Sequence, residues 1–99
     1  MTKFRRNFIA CGAALGLSTL AAPVLADAVS YCRVYASTAV GQARAARAAG
    51  PCNHFVYENP LRWNLSYGDH YRFCLSHYGS GENDSESKIR IANLNECAR

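Results

Sequence analysis

The chain has 99 residues, 11 basic and 7 acidic side chains, a formal net charge of +4 and five cysteines. That length holds one small domain and excludes a multidomain enzyme. The basicity and the odd cysteine both change meaning once the N-terminal segment is set apart.

Residues 1–26 read MTKFRRNFIACGAALGLSTLAAPVLA. Lys3, Arg5 and Arg6 precede an apolar stretch from Phe8 to Leu20, Pro23 closes that stretch, and Val24-Leu25-Ala26 stands before Asp27. This is the layout of a cleaved secretory signal peptide. A membrane span needs about 20 apolar residues, and the stretch is shorter and broken by glycine and serine. Arg5-Arg6-Asn7-Phe8-Ile9 resembles a twin-arginine core, but Phe4 stands where that pattern prefers Ser or Thr. The general secretory route is therefore favoured. Cys11 follows Arg6 too closely for a lipoprotein signal. We expect a periplasmic or secreted protein with no stable membrane span after cleavage.

The expected mature domain is Asp27–Arg99, 73 residues with eight bases against seven acids, a net charge of +1. No basic stripe remains, so nucleic acid is not an expected partner. Four cysteines remain: Cys32, Cys52, Cys74 and Cys97. An even number in a small exported chain reads as two disulfides. Their spacings of 20, 22 and 23 residues lack the close pairs of a zinc site. A chain of this size buries only about 60% of its unfolded surface, so the bridges carry much of the stability.

The first predicted element is a helix over 28–49. Val29, Cys32, Ala36, Ala39, Val40, Ala43 and Ala46 recur at steps of three and four, forming an alanine-rich stripe that admits a close partner. Asp27 or Ser30 is the expected cap, Gly41 a weak point, and Gly50-Pro51 the stop. Residues 53–65 have no period and read as a loop pinned by Phe55, Leu61 and Trp63. Helical spacing resumes over 66–78, with Ser66 as N-cap; Tyr67, Tyr71, Cys74 and Tyr78 share a face beside His70 and His77. Gly79-Ser80-Gly81 breaks the chain before a third helix over 84–98. There Asn83 and Glu86 resemble a capping box, and Ile91, Leu94 and Cys97 give the apolar side. Glu82, Asp84 and Glu86 at the start and Arg99 at the end suit the helix dipole.

These elements predict an all-α fold, a small up-down-up three-helix bundle held by two disulfides. Cys32 and Cys52 flank one helix and lie about 30 Å apart at 1.5 Å per residue. A disulfide tolerates only about 7 Å between Cα atoms, which excludes that pair. The second helix returns Cys74 toward Cys32 and the third raises Cys97 toward Cys52. The expected pairs are Cys32–Cys74 and Cys52–Cys97; Cys32–Cys97 with Cys52–Cys74 would need another helix order in space.

Tyr31-Cys32-x-x-Tyr35-Ala36-x-x-Ala39-Val40-x-Gln42, then Cys52, Arg62-Trp63 and His70-Tyr71-x-x-Cys74-Leu75, follow at fixed intervals. Residues 31–75 thereby resemble small exported alphaproteobacterial cysteine-containing proteins with a YC-x-x-YA-x-x-AV-x-Q opening, a middle Cys, an RW pair and an HY-x-x-C-L helix. Phe73 replaces a frequent Trp of that pattern, and Asn53-His54-Phe55 a frequent Gly-Phe. The resemblance implies a periplasmic or secreted helical protein and implies no activity.

Several side chains invite chemistry. Asp69-His70 is the most enzyme-like pair, yet neighbours on a helix point about 100° apart, so Asp69 is poorly placed to orient His70. A partly buried His70, hydrogen-bonded near the disulfide, is the simpler expectation, and a very small hydrolase using it is the alternative. His70 and His77 lie about 10 Å apart along one helix, too far to share an ion, so no metal or cofactor is expected even with His54 nearby. No Ser sits in a G-x-S-x-G elbow. Arg62, Trp63, His70 and Tyr71 form the candidate binding set, since Trp, Tyr and Arg dominate binding hot spots; for Trp63 a core position is expected first. The function expected is a non-catalytic module binding an envelope component or another protein, with a structural or stress-related periplasmic role as a further alternative.

Overall fold

The computed structural model describes residues 9–98, with the backbone alone over 9–24. The basic residues Lys3, Arg5 and Arg6, the Cys11 side chain and the helix-end charge of Arg99 lie outside what is described. The described residues are helical with no strand: α1 (Ile9–Ala48), a 3-10 turn (Gly50–Cys52), α2 (Asn53–Glu58), α3 (Tyr67–Ser76) and α4 (Glu82–Cys97). No helix among them is long and apolar enough to cross a membrane.

α1 is the spine. It starts well before residue 28, so Asp27 and Ser30 lie inside it and cap nothing. Its inward stripe is Ala28, Cys32, Tyr35, Ala36, Ala39, Val40, Ala43 and Ala46, all buried. That matches the alanine periodicity from Cys32 onward, adds Tyr35, and puts Ala28 on the face where Val29, here half-buried, was expected. Small side chains at these positions let α3 and α4 approach closely. The helix stops before Gly50-Pro51, and Pro51 sits in the first positions of the 3-10 turn that Gly50 opens.

Residues 53–65 contain the short helix α2 where a loop was expected; Phe55, Val56 and Trp63 pack inward, while Leu61 is 80% exposed and pins nothing. α3 is capped as expected: the Ser66 hydroxyl accepts from the Asp69 N–H at 3.1 Å.

α4 departs from its expected pattern. Gly81 precedes it at φ +89°, and no side chain caps it. The expected capping box is absent because α4 begins at Glu82, before the expected start at 84, which puts Asn83 inside the helix; both of its members are engaged elsewhere. Asn83 Nδ2 donates to the Cys74 carbonyl at 3.0 Å, and Glu86 pairs with Arg62. Ile91 is exposed. The face turned inward carries Asn83, Glu86, Arg90, Leu94 and Cys97, at steps of three and four.

The topology is up-down-up. Along α1 and α3, Tyr35 meets Phe73, Cys32 bonds Cys74 and Tyr31 meets Tyr78, so the helices run antiparallel. Gln42 meets Arg90 and Cys52 bonds Cys97, so α4 runs back along α1. The bridges Cys32–Cys74 and Cys52–Cys97 have Cα separations of 5.5 and 5.3 Å. Each anchors a small core. One joins Cys32, Tyr35, Ala39 and Cys74, flanked by Tyr71 and Phe73. The other joins Ala46, Cys52 and Trp63, flanked by Phe55, Val56, Leu94 and Cys97. Gln42 sits one turn from Ala39 and one from Ala46, so a polar layer separates the two cores.

A candidate ligand cleft over the polar layer

The polar layer opens on a cleft of about 390 Å³. Residues 59–64 form its rim, α3 and α4 its sides, and Tyr35 of α1 contributes to its lining. The rim is shaped by asparagines acting as backbone substitutes. Asn59 Oδ1 accepts from the Arg62 N–H at 3.1 Å. Asn64 Nδ2 donates to the Leu61 carbonyl at 2.9 Å, and its Oδ1 accepts from the Ser66 N–H at 2.8 Å. From α1, Arg47 Nη1 donates to the Trp63 carbonyl at 2.6 Å and ties the rim to the spine.

Arg62 reaches across to α4. Its Nε and Nη2 donate to Glu86 Oε1 and Oε2 at 2.8 and 3.0 Å, a two-point pair that is half-buried. The hydrogen bond raises the Arg62 pKa and, with burial opposing, lowers that of Glu86. Arg90 lies one turn further along α4 and is 1% exposed. Its Nε donates to Gln42 Oε1 at 2.6 Å, and its guanidinium carbon stands 5.1 Å from the Tyr35 ring centroid. Nη1 is 4.0 Å from Glu86, while Nη2 is buried without an acceptor.

His70 is buried, and its Nε2 lies 2.8 Å from the Asn64 carbonyl. A carbonyl only accepts, so Nε2 carries the hydrogen. Burial pushes the His70 pKa down, against the Asn64 hydrogen bond and with the help of Arg90. Asp69 does not orient the ring; it pairs with Arg72 at 2.6 Å. The expected hydrogen bond is present, the histidine is more deeply buried than expected, and the Asp69-His70 pair forms no relay.

Of the four candidate residues, the fold brings Arg62 and His70 to the cleft. Trp63 takes the core position expected first and so contributes nothing to a binding surface: its indole is 1% exposed and packs on the Cys52–Cys97 core, 6.0 Å from the Phe55 ring. Tyr71 packs against the Cys32–Cys74 core and stacks on Tyr67 at 6.0 Å, apart from the cleft lining. Glu86 and Arg90 went unread as site residues. One signal was present: Arg90 lies seven residues before Cys97 and Asn83 fourteen, so a buried Cys97 places both on its own face. Among the described residues, no group of three or more His, Cys, Asp or Glu side chains is placed to hold a metal ion.

The chain matches no family model, no curated protein and no solved structure.

Proposed function

We propose that this protein is an exported, disulfide-stabilised helical module that binds a component of the cell envelope through the cleft over its polar layer, without catalysing a reaction. The observation that carries the reading is the cleft itself. It combines apolar lining from Tyr35, Leu61 and Phe73 with a few convergent charged groups, the composition of a ligand site. The two bridges hold α1, α3 and α4 around it, and disulfides belong to oxidising compartments. The basic start and apolar stretch of residues 1–26 support passage by the general secretory route into the periplasm or beyond. The resemblance of residues 31–75 to small exported proteins agrees.

The test is affinity capture from an oxidised envelope extract with wild type, Leu61→Glu and Leu75→Glu. Leu61 is exposed on the rim and Leu75 is exposed outside the cleft, so neither change disturbs the core. A component retained by wild type and Leu75→Glu but lost by Leu61→Glu supports the reading. Retention by all three, or by none, overturns it.

A further inference from the structure

The charges around the cleft do not cancel. Its lining holds three guanidiniums, from Arg62, Arg72 and Arg90, and two carboxylates, from Asp69 and Glu86. Arg72 is paired with Asp69, and Arg62 takes both oxygens of Glu86. Arg90 is left over. Glu86 lies 4.0 Å from its Nη1, beyond hydrogen-bond reach, and Gln42 on its Nε is neutral. His70 adds no charge of its own, since burial favours its neutral form.

A buried guanidinium with an unmet donor is costly, and such groups in folded proteins are usually satisfied. Arg90 already joins α4 to α1 through Gln42 and Tyr35, and one donor would suffice for that. The surplus charge and the surplus donor coincide at the same side chain, and that side chain lines the cleft. Beside it lie Tyr35 and Phe73, their rings 6.4 Å apart and inclined by 18°, which offer an apolar wall.

We infer that the cleft binds a single carboxylate carried on an apolar or aromatic body, the carboxylate seated on the Arg90 guanidinium and the body lying against Tyr35 and Phe73. The inference rests on the binding reading above and names the chemistry of the ligand. One carboxylate brings the cleft to neutrality, whereas a dianion would overshoot it beside Glu86. A turn of the guanidinium toward the cleft gives Nη2 the acceptor it lacks. The same group is carried by a free small acid or by the C-terminus of a peptide ending in an aromatic residue.

Titration calorimetry on the oxidised protein separates these sources. The probes are 3-phenylpropionate with 3-phenylpropionamide, and N-acetyl-Gly-Phe with its C-terminal amide. The carboxylate of at least one pair should bind at least about tenfold more tightly than its amide, the effect of one charge-assisted hydrogen bond. Preference within the first pair alone marks a small acid, and preference within the second alone a peptide end. Arg90→Gln should bring the ratio near one while the amide keeps its affinity. Because the wild-type ratio is decisive by itself, a poorly folded variant leaves the test intact. Equal affinity for acid and amide overturns the carboxylate and leaves the cleft as a binding site. Absence of binding by all four probes overturns the carboxylate as well, and the Leu61→Glu capture then decides the broader reading.

Discussion

Glu86 faces two guanidiniums, and that asymmetry makes its removal worse than removal of Arg62. Glu86→Gln leaves Arg62 and Arg90 facing each other without an anion, whereas Arg62→Gln leaves Glu86 still 4.0 Å from Arg90. Equilibrium denaturation should show Glu86→Gln costing about 2–3 kcal/mol and Arg62→Gln about 1 kcal/mol. The opposite order would mean that Arg90 does not depend on Glu86. His70 gives a second test at this scale. Its pKa is lowered in the fold, so above the ordinary value of 6.5 both folded and unfolded chains are neutral and it adds no pH dependence. As pH falls below that value the unfolded chain takes up the proton first, and stability drops until the folded pKa is passed. The midpoint of thermal unfolding should therefore be flat above about pH 7 and fall as pH drops below about 6.5. His70→Gln keeps a donor for the Asn64 carbonyl and does not titrate, so its curve should lose that decline. Parallel curves for the two proteins would remove His70 from the acid limb. Glu86 contributes below that window: its pKa is lowered from 4.5, so its stabilisation is lost as pH falls through the folded value.

At the scale of elements, legibility followed side-chain type. α1 was readable because its inward positions are apolar and small, so period and burial coincide. The direction of each helix then followed, and with it both cysteine pairs. α4 was readable as a helix, and its face only toward the C-terminus: Leu94 and Cys97 pack inward as expected, while Ile91 faces outward and the rest of the inward stripe carries Asn83, Glu86 and Arg90. A hydrophobic pattern has no means of marking a face whose burial is bought by hydrogen bonds to Cys74, Gln42 and Arg62. α2 escaped because six residues are too few for a period, and it opens on Asn53 and closes just before Asn59-Pro60. The cleft was half legible: Arg62 and His70 stood out by type, while Arg90 needed the register of Cys97. Gly41 tests the reading of α1 directly. It is exposed in mid-helix, and a Cβ built there meets nothing within 4 Å. Gly41→Ala should raise stability by about 0.5–1 kcal/mol, from propensity alone. Ala43→Leu, at a position with no exposed surface, should lower it by about 1–3 kcal/mol through overpacking against α1's neighbours. If both changes acted in the same direction, the inward face of α1 would be wrongly assigned.

For the whole molecule, the two disulfides interlock. The Cys32–Cys74 bridge spans 42 residues and the Cys52–Cys97 bridge spans 45, and residues 52–74 lie within both loops. In the chain-entropy model a loop of either length removes about 4 kcal/mol from the denatured state. The contributions do not add, because the first closure already restricts the segment that the second would restrict. Each core is also built on its own bridge, Cys32–Cys74 with Tyr35 and Cys52–Cys97 with Trp63, so losing a bridge loosens one core directly. Arg90 and Gln42 lie between the cores, and the cleft depends on both. The paired replacements Cys32→Ala with Cys74→Ala, and Cys52→Ala with Cys97→Ala, should each cost about 2–5 kcal/mol in chemical denaturation. Reduction of both bridges should leave the chain largely unfolded by far-ultraviolet circular dichroism at 37 °C. Peptide mapping without reductant should recover Cys32 linked to Cys74 and Cys52 linked to Cys97, and a Cys32–Cys52 peptide would be incompatible with a continuous α1. A reduced chain that kept its full helicity and its unfolding midpoint would show that the alanine stripe and the polar layer hold the fold unaided, and would overturn the dependence of the cleft on an oxidising compartment.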